Sequence, residues 1–265
     1  MSEPVDRQVQ TDAESELDEA RLPFTEHLRE LRTRTIRMVL YVVCAFGFSW
    51  AFREEVFRWY VQPYYSATAA ATGVRFADLS YISVIEPIVV FLKSSLSAAV
   101  LGSMPFVLTE AWLFVAPGLY KKERRLAAPF LISSILFFVG GVLFCRYLVM
   151  ELAIDVLLKF GADAAAAIIT MSEYFSFASR LFLVFGLFFE MPVAISFLAA
   201  VGLVTHHMLI RHWRIAVVAA VIVGAMLTPP DPITQLALAV PMVALYGLSI
   251  VLAYLITNAR AASES

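Results

Sequence analysis

Four long apolar runs, at residues 87–115, 126–150, 174–203 and 233–257, limit what this chain can become. As helices rising about 1.5 Å per residue, each reaches at least about 37 Å, more than the ~30 Å of hydrocarbon in a bilayer. Backbone N–H and C=O groups find no water in lipid, so runs of this length read as membrane-crossing helices. Those at 87–115 and 174–203 must tilt, bend or protrude, and Pro105 offers a bend in the first. Pro241 interrupts the last.

Two shorter runs complete the pattern. Residues 36–52 follow a stretch, 23–37, in which Leu28, Leu31 and Thr35 share one helical face while Arg29, Glu30, Arg32 and Arg34 point elsewhere. This predicts a short amphipathic helix on the membrane surface, leading into the first span. Residues 214–227 give a helix of only about 21 Å. The following Thr228-Pro229-Pro230-Asp231-Pro232 cannot continue it. The expected fold is an all-α integral membrane protein with six transmembrane helices, a concave bundle with a short fifth span. Segments 53–82, 151–173 and 205–213 read as loops. The first is aromatic enough (Trp59, Tyr60, Tyr64, Tyr65) for part of it to rest at the interface.

Charge decides orientation. The chain is 60% hydrophobic and 16% charged, a membrane composition with a slightly acidic balance. That acidity comes from residues 1–20, which hold seven acids and one base. We therefore expect a disordered acidic tail at 1–22, a membrane domain at 23–257 and a short cytoplasmic tail at 258–265. No basic segment followed by an apolar one opens the chain, so the first span is expected to serve as its own insertion signal. The two tails, the first helix and the loops near 120 and 210 together hold 13 bases, against five in the opposite loops. The bias predicts both termini in the cytoplasm.

Within this frame a few polar residues stand out. Glu190 falls near the middle of the fourth span, where a charge costs on the order of 2.5–3.5 kcal/mol. It is expected either to serve a function or to sit as a neutral acid hydrogen-bonded to a neighbouring span, through Gln235 or a threonine. Lys93 and Arg180 also lie within spans, with no role assigned. The loop between the second and third spans carries Lys121, Lys122, Arg124 and Arg125 around one acid, Glu123. The bases fit a positive-inside loop, whereas an acid contributes little to orientation. Glu30 and Glu123 are expected on the same face. They fit either exposed ion pairs or a pair of carboxylates for a ligand with two adjacent arginines, each held in a two-pronged contact that lysine reproduces poorly. Trp112 and Phe114 fit interfacial anchors, and Asp231 fits turn chemistry.

Several classes of function find no support. His206, His207 and His212 put no more than two rings on one helical face and have no Cys or carboxylate beside them, so no metal is expected. No nucleophile elbow, zinc-protease motif or P-loop occurs. Cys44 and Cys145 read as small buried apolar residues. No enzyme activity, cofactor or nucleic-acid partner is expected.

Four blocks in order carry a resemblance to a known family: residues 23–34 (P-F-T-E-H-L-R-E-L-R-T-R), 110–125 (E-A-W-L-F-V-A-P-G-L-Y-K-K-E-R-R), 185–194 (F-G-L-F-F-E-M-P-V-A) and 227–231 (L-T-P-P-D). Together they resemble TatC, the multispanning core of the twin-arginine protein translocase, over roughly residues 23–257. The resemblance implies a receptor in the bacterial cytoplasmic membrane that binds twin-arginine signal peptides of folded proteins. It assigns Glu30 and Glu123 to the signal, Arg32 to holding Glu30, and Phe114 to a place beside the signal site. It places Glu190, Asp231 and Pro63 toward partners, namely TatA- and TatB-like single-span proteins in a multimeric complex, with transport driven by the proton-motive force. Two readings compete. An ion-coupled secondary transporter using Glu190 predicts an internal repeat, and the short fifth span has no counterpart in the first half. A passive membrane scaffold would leave Glu30 and Glu123 freely replaceable.

Overall fold

The computed structural model describes residues 28–72, 79–115, 127–161, 169–228 and 232–264. The described chain is helical, with one isolated bridge between Ser80 and Thr170. In order it forms α1 (Leu28–Ala51), α2 (Arg53–Thr72), α3 (Glu86–Val115), α4 (Ala127–Phe144), a π turn (Cys145–Val149), α5 (Met150–Gly161), α6 (Met171–Ala200), α7 (His206–Arg211), α8 (Trp213–Leu227) and α9 (Pro232–Glu264). Four stretches, Glu86–Phe114, Ala128–Leu157, Met171–Ala200 and Pro232–Asn258, are long and apolar enough to cross a membrane; α1 with α2 makes a fifth if that bent pair is one span. α8 is a shorter apolar helix, as its length in the sequence requires. The outward faces are apolar: Phe48, Leu136, Ile215 and Val240 are all more than 60% exposed. A surface of that kind is suited to lipid rather than water.

α6 is the central element and packs against α3, α4 and α9. Its close seat on α4 depends on glycine. A Cβ at Gly141 would lie 2.8 Å from the Phe185 carbonyl oxygen, and one at Gly186 would lie 2.6 Å from the Phe138 ring. α8 lies along α9, and Gln235 Nε2 donates to the Val221 carbonyl at 3.1 Å. Pro105, Pro192 and Pro241 are accommodated inside α3, α6 and α9. Pro241 therefore does not interrupt the last helix, contrary to expectation.

All three expected loops contain helix. α1 turns by 85° into α2. Four charges in its first six residues suggested a loop, yet Phe57, Tyr60, Val61 and Tyr64 recur at i, i+3, i+4, i+7. That face is buried: Phe57 stacks on Phe175 at 5.0 Å, Tyr60 meets Phe182 at 5.2 Å, and Tyr64 meets Tyr174 at 5.4 Å. Pro63 is buried within this helix rather than shaping a loop. The second case is 151–161, where α4 continues through the π turn into α5 and lies against α2. Arg146, on the π turn, is 4% exposed; it donates to the Trp59 carbonyl and to Gln62 Oε1, and lies 4.4 Å over the Trp59 ring. It fastens α2 with no carboxylate partner among the described residues. Cys145 is buried as expected, whereas Cys44 is exposed on α1. Residues 206–211, also read as loop, form the short helix α7.

A carboxylate ties the starts of α3 and α6 together. Glu86 Oε2 accepts from Ile82 N at 2.9 Å and Ser83 N at 3.5 Å, while Oε1 accepts from Ser172 N at 2.9 Å. Ser172 N lies in the first turn of α6, where donors lack intrahelical partners and negative charge is favoured, while Ile82 and Ser83 lie in the bend just before α3. The Ser80–Thr170 bridge runs alongside. Glu86→Ala is expected to speed hydrogen exchange at the Ile82 and Ser172 amides and to leave that at Ala178 unchanged. Unchanged exchange at both ends of the latch would show that the carboxylate holds nothing.

Candidate functional site

The first cluster joins the N-terminal turns of α1 to the last turns of α3. Glu30 and Arg34 are four residues apart and therefore share one face. Arg34 Nε and one terminal amino group donate to Glu30 Oε1 at 2.9 and 2.6 Å. The other amino group donates to Glu110 Oε2 at 2.9 Å. Glu110 is only 5% exposed, and its second oxygen accepts from Tyr41 Oη at 3.4 Å and lies 3.7 Å from Arg37. One guanidinium thus sits between two carboxylates, and Arg37 brings the cluster to charge balance. Glu30 has its second oxygen without a partner among the described residues.

This arrangement corrects one expectation. Arg34 holds Glu30, not Arg32, whose side chain is exposed and makes no ion pair among the described residues. The reason is helical geometry: i+2 points to the far side, and i+4 to the same face. Phe114 lies one turn beyond Glu110 on the same face of α3. Glu123 and Asp231 lie outside the described residues.

The second cluster is centred on Glu190, near the middle of α6. Ser134 on α4 donates to Glu190 Oε2 at 2.5 Å, and Trp112 Nε1 on α3 donates to Ser134 Oγ at 3.0 Å. Three helices are thus joined by one relay that ends on a carboxylate. Trp112 is itself fixed by Phe130, stacked at 5.9 Å, and by Phe197, edge-on at 4.8 Å. It is more than an interfacial anchor. The partner of Glu190 is neither Gln235, which is used by α8, nor a threonine. Its other oxygen, Oε1, is buried with no hydrogen-bond partner. An acid with one satisfied and one orphaned oxygen in an apolar bundle is an acceptor awaiting a donor.

Glu110, Arg34 and Ser134 were not singled out from sequence. Glu110 lies five residues before the end of the 87–115 apolar run, and an acid there is a signal that could have been read. Ser134 carries no such mark, because its importance comes from the packing of α4 on α6. The two clusters share the end of α3: Glu110 serves the first and Trp112 the second. No group of three or more potential metal ligands occurs among the described residues.

Comparison with known proteins places this arrangement. Residues 26–241 match the family model described as Sec-independent protein translocase protein (TatC). A TatC protein of Helicobacter pylori strain J99 is 40% identical over 239 residues, covering 90% of this chain and 92% of the relative. One from Campylobacter jejuni is 36% identical over 241 residues, covering 90% of this chain and 96% of the relative. A crystal structure of the twin arginine translocase receptor TatC superposes with a TM-score of 0.77 at 33% identity, over 87% of this chain and 99% of that one.

Proposed function

The chain belongs to the TatC family of Sec-independent protein translocase proteins, and from that premise we propose that it binds twin-arginine signal peptides of folded cargo at the cytoplasmic face of a bacterial inner membrane. It is an integral membrane subunit of a translocase, not an enzyme. In this reading six spans, α8 being the short fifth, place both termini in the cytoplasm. TatA- and TatB-like single-span proteins assemble against the spans around Glu190, with Asp231 toward the same partners and the buried Pro63 acting through the shape of α2. The complex is multimeric, and the proton-motive force drives export.

One observation carries the receptor reading: a guanidinium already lies between Glu30 and Glu110, and Glu30 keeps an oxygen open beside it. The place is built for arginine, whose planar fork suits carboxylates in a way an ammonium does not. Glu30 and Glu123 take the two signal arginines in this proposal, Phe114 lines the seat, and Arg34 with Glu110 keeps Glu30 in position.

The test is a titration of a labelled twin-arginine peptide against the protein in nanodiscs. Glu30→Gln and Glu123→Gln are each expected to weaken binding at least about tenfold, because each removes one charge-assisted contact of ~1.5–3 kcal/mol. A Lys-Lys peptide should bind wild type as poorly. Equal binding by wild type and both variants, or by both peptides, would mean that the attraction is merely electrostatic and does not read paired arginines.

A further inference from the structure

We propose that Lys93 and Arg180 together seat the phosphate of an anionic phospholipid, in the leaflet at the Glu86 end of the bundle. The inference does not depend on the receptor reading. Lys93 on α3 and Arg180 on α6 line one groove of about 250 Å³ between these helices, with Leu96, Ser97, Val100 and Leu183. Both side chains are exposed, and neither makes an ion pair among the described residues. Arg180 Nε donates to the Ser176 carbonyl at 3.0 Å, which fixes the guanidinium near its own helix.

Depth argues for a lipid. The Glu86 latch sets α3 and α6 starting level. Lys93 then lies about 10 Å, and Arg180 about 13 Å, along its helix from that end. A 30-residue helix of about 45 Å overhangs ~30 Å of hydrocarbon by about 7 Å at each end. Both Cα atoms therefore fall a few ångströms inside the apolar layer, within reach of the boundary for side chains that extend toward it. That boundary is where phospholipid phosphates lie. Two like charges converging on one groove repel each other, and each is costly at this depth. A shared phosphate answers both problems through charge-assisted hydrogen bonds. Free phosphate would need to leave water for this layer, whereas a lipid holds its phosphate there.

The rest of the groove suits the same ligand. Tyr60 Oη donates to Ser97 Oγ at 2.8 Å, so the hydrogen of Ser97 is left to donate to a phosphate oxygen. Beyond the cations, Leu96, Val100 and Leu183 continue an apolar face along which an acyl chain can lie. An acid on the span of another protein is the competing occupant.

Native mass spectrometry of the detergent-solubilised protein, titrated with phosphatidylglycerol or with phosphatidylcholine, provides the test. Wild type is expected to retain phosphatidylglycerol at least tenfold more tightly than phosphatidylcholine, and inorganic phosphate should not compete. Lys93→Gln with Arg180→Gln should abolish that preference. The charge-keeping Lys93→Arg should retain it, as should Arg53→Gln with Arg58→Gln, which removes two bases outside the groove. A helical circular dichroism spectrum like wild type confirms that the double variant folds. No preference in wild type, an undiminished preference in the Lys93/Arg180 double variant, or an equal loss in the Arg53/Arg58 control would each overturn the assignment. So would displacement of phosphatidylglycerol by free phosphate.

Discussion

Gly141→Ala is expected to melt below wild type in detergent micelles, while Gly140→Ala, one residue earlier, melts at or above it. The two positions differ in what a methyl group would meet. At Gly141 a Cβ would lie 2.7 Å from Phe189 Cγ and 2.8 Å from the Phe185 carbonyl oxygen; at Gly140 nothing lies within 4 Å. The carbonyl belongs to the backbone of α6 and cannot rotate away, so the two helices must separate. Overpacking of this kind costs about 1–3 kcal/mol. At Gly140 the exchange removes a poor helix former and contributes up to about 1 kcal/mol in favour of the fold. The consequence reaches the site. Ser134 lies seven residues before Gly141 on the same face of α4, and Glu190 four residues after Gly186 on the facing side of α6. The glycine contacts set the spacing across which Ser134 reaches Glu190 at 2.5 Å. Gly141→Ala should therefore also lower transport. Equal melting temperatures for the two variants would mean that α4 and α6 are not held by this contact.

The long helices were legible because their length is written in apolar composition. α3 and α6 begin and end within about three residues of the expected runs, and the stop after α8 follows from the prolines that succeed it. What the sequence concealed has specific causes. In α2 the charges of the first turns outweighed an apolar repeat, Phe57, Tyr60, Val61 and Tyr64, whose period was helical all along. At the π turn, the apolar run thinned at Glu151 and suggested a loop, although α5 needed only one buried face to persist against α2. The candidate site divides similarly. Glu30 and Glu190 were visible, the first through its company of arginines and the second because an acid in a span is costly. Their partners were not. Arg34 rather than Arg32 follows from a helical register that could have been applied. Ser134 and Glu110 depend on which faces of α4, α6, α1 and α3 meet, and no single stretch of chain records that. Tat-like motifs marked the places without indicating the contacts between them.

Glu190→Leu is expected to leave the isolated chain at least as stable as wild type and to abolish its assembly with single-span partners. The stability half follows from the geometry. Glu190 Oε1 is buried without a donor, and an unsatisfied buried polar atom costs about 1–3 kcal/mol. Leucine removes that cost and has a similar volume. Ser134 loses its acceptor, but it still accepts from Trp112 and, as a helical serine, can donate to a carbonyl one turn back. The lone protein thus gains no stability from an acid here, which is the ground for assigning Glu190 to the proposed assembly. In the proposed assembly the half-buried Glu190 side chain turns its free oxygen toward a donor brought by a partner span, and burial in the new interface makes that hydrogen bond strong. Glu190→Gln separates two versions of this role. It keeps an oxygen for Ser134 but places an N–H₂ group where the open acceptor was, so it should fail as Leu does if the partner supplies a donor. Copurification of tagged partners with wild type, Glu190→Gln and Glu190→Leu, alongside melting of each chain alone, reads both halves. Undiminished assembly of the leucine variant would remove Glu190 from the partner site, and a large fall in its melting temperature would make the acid a structural group after all.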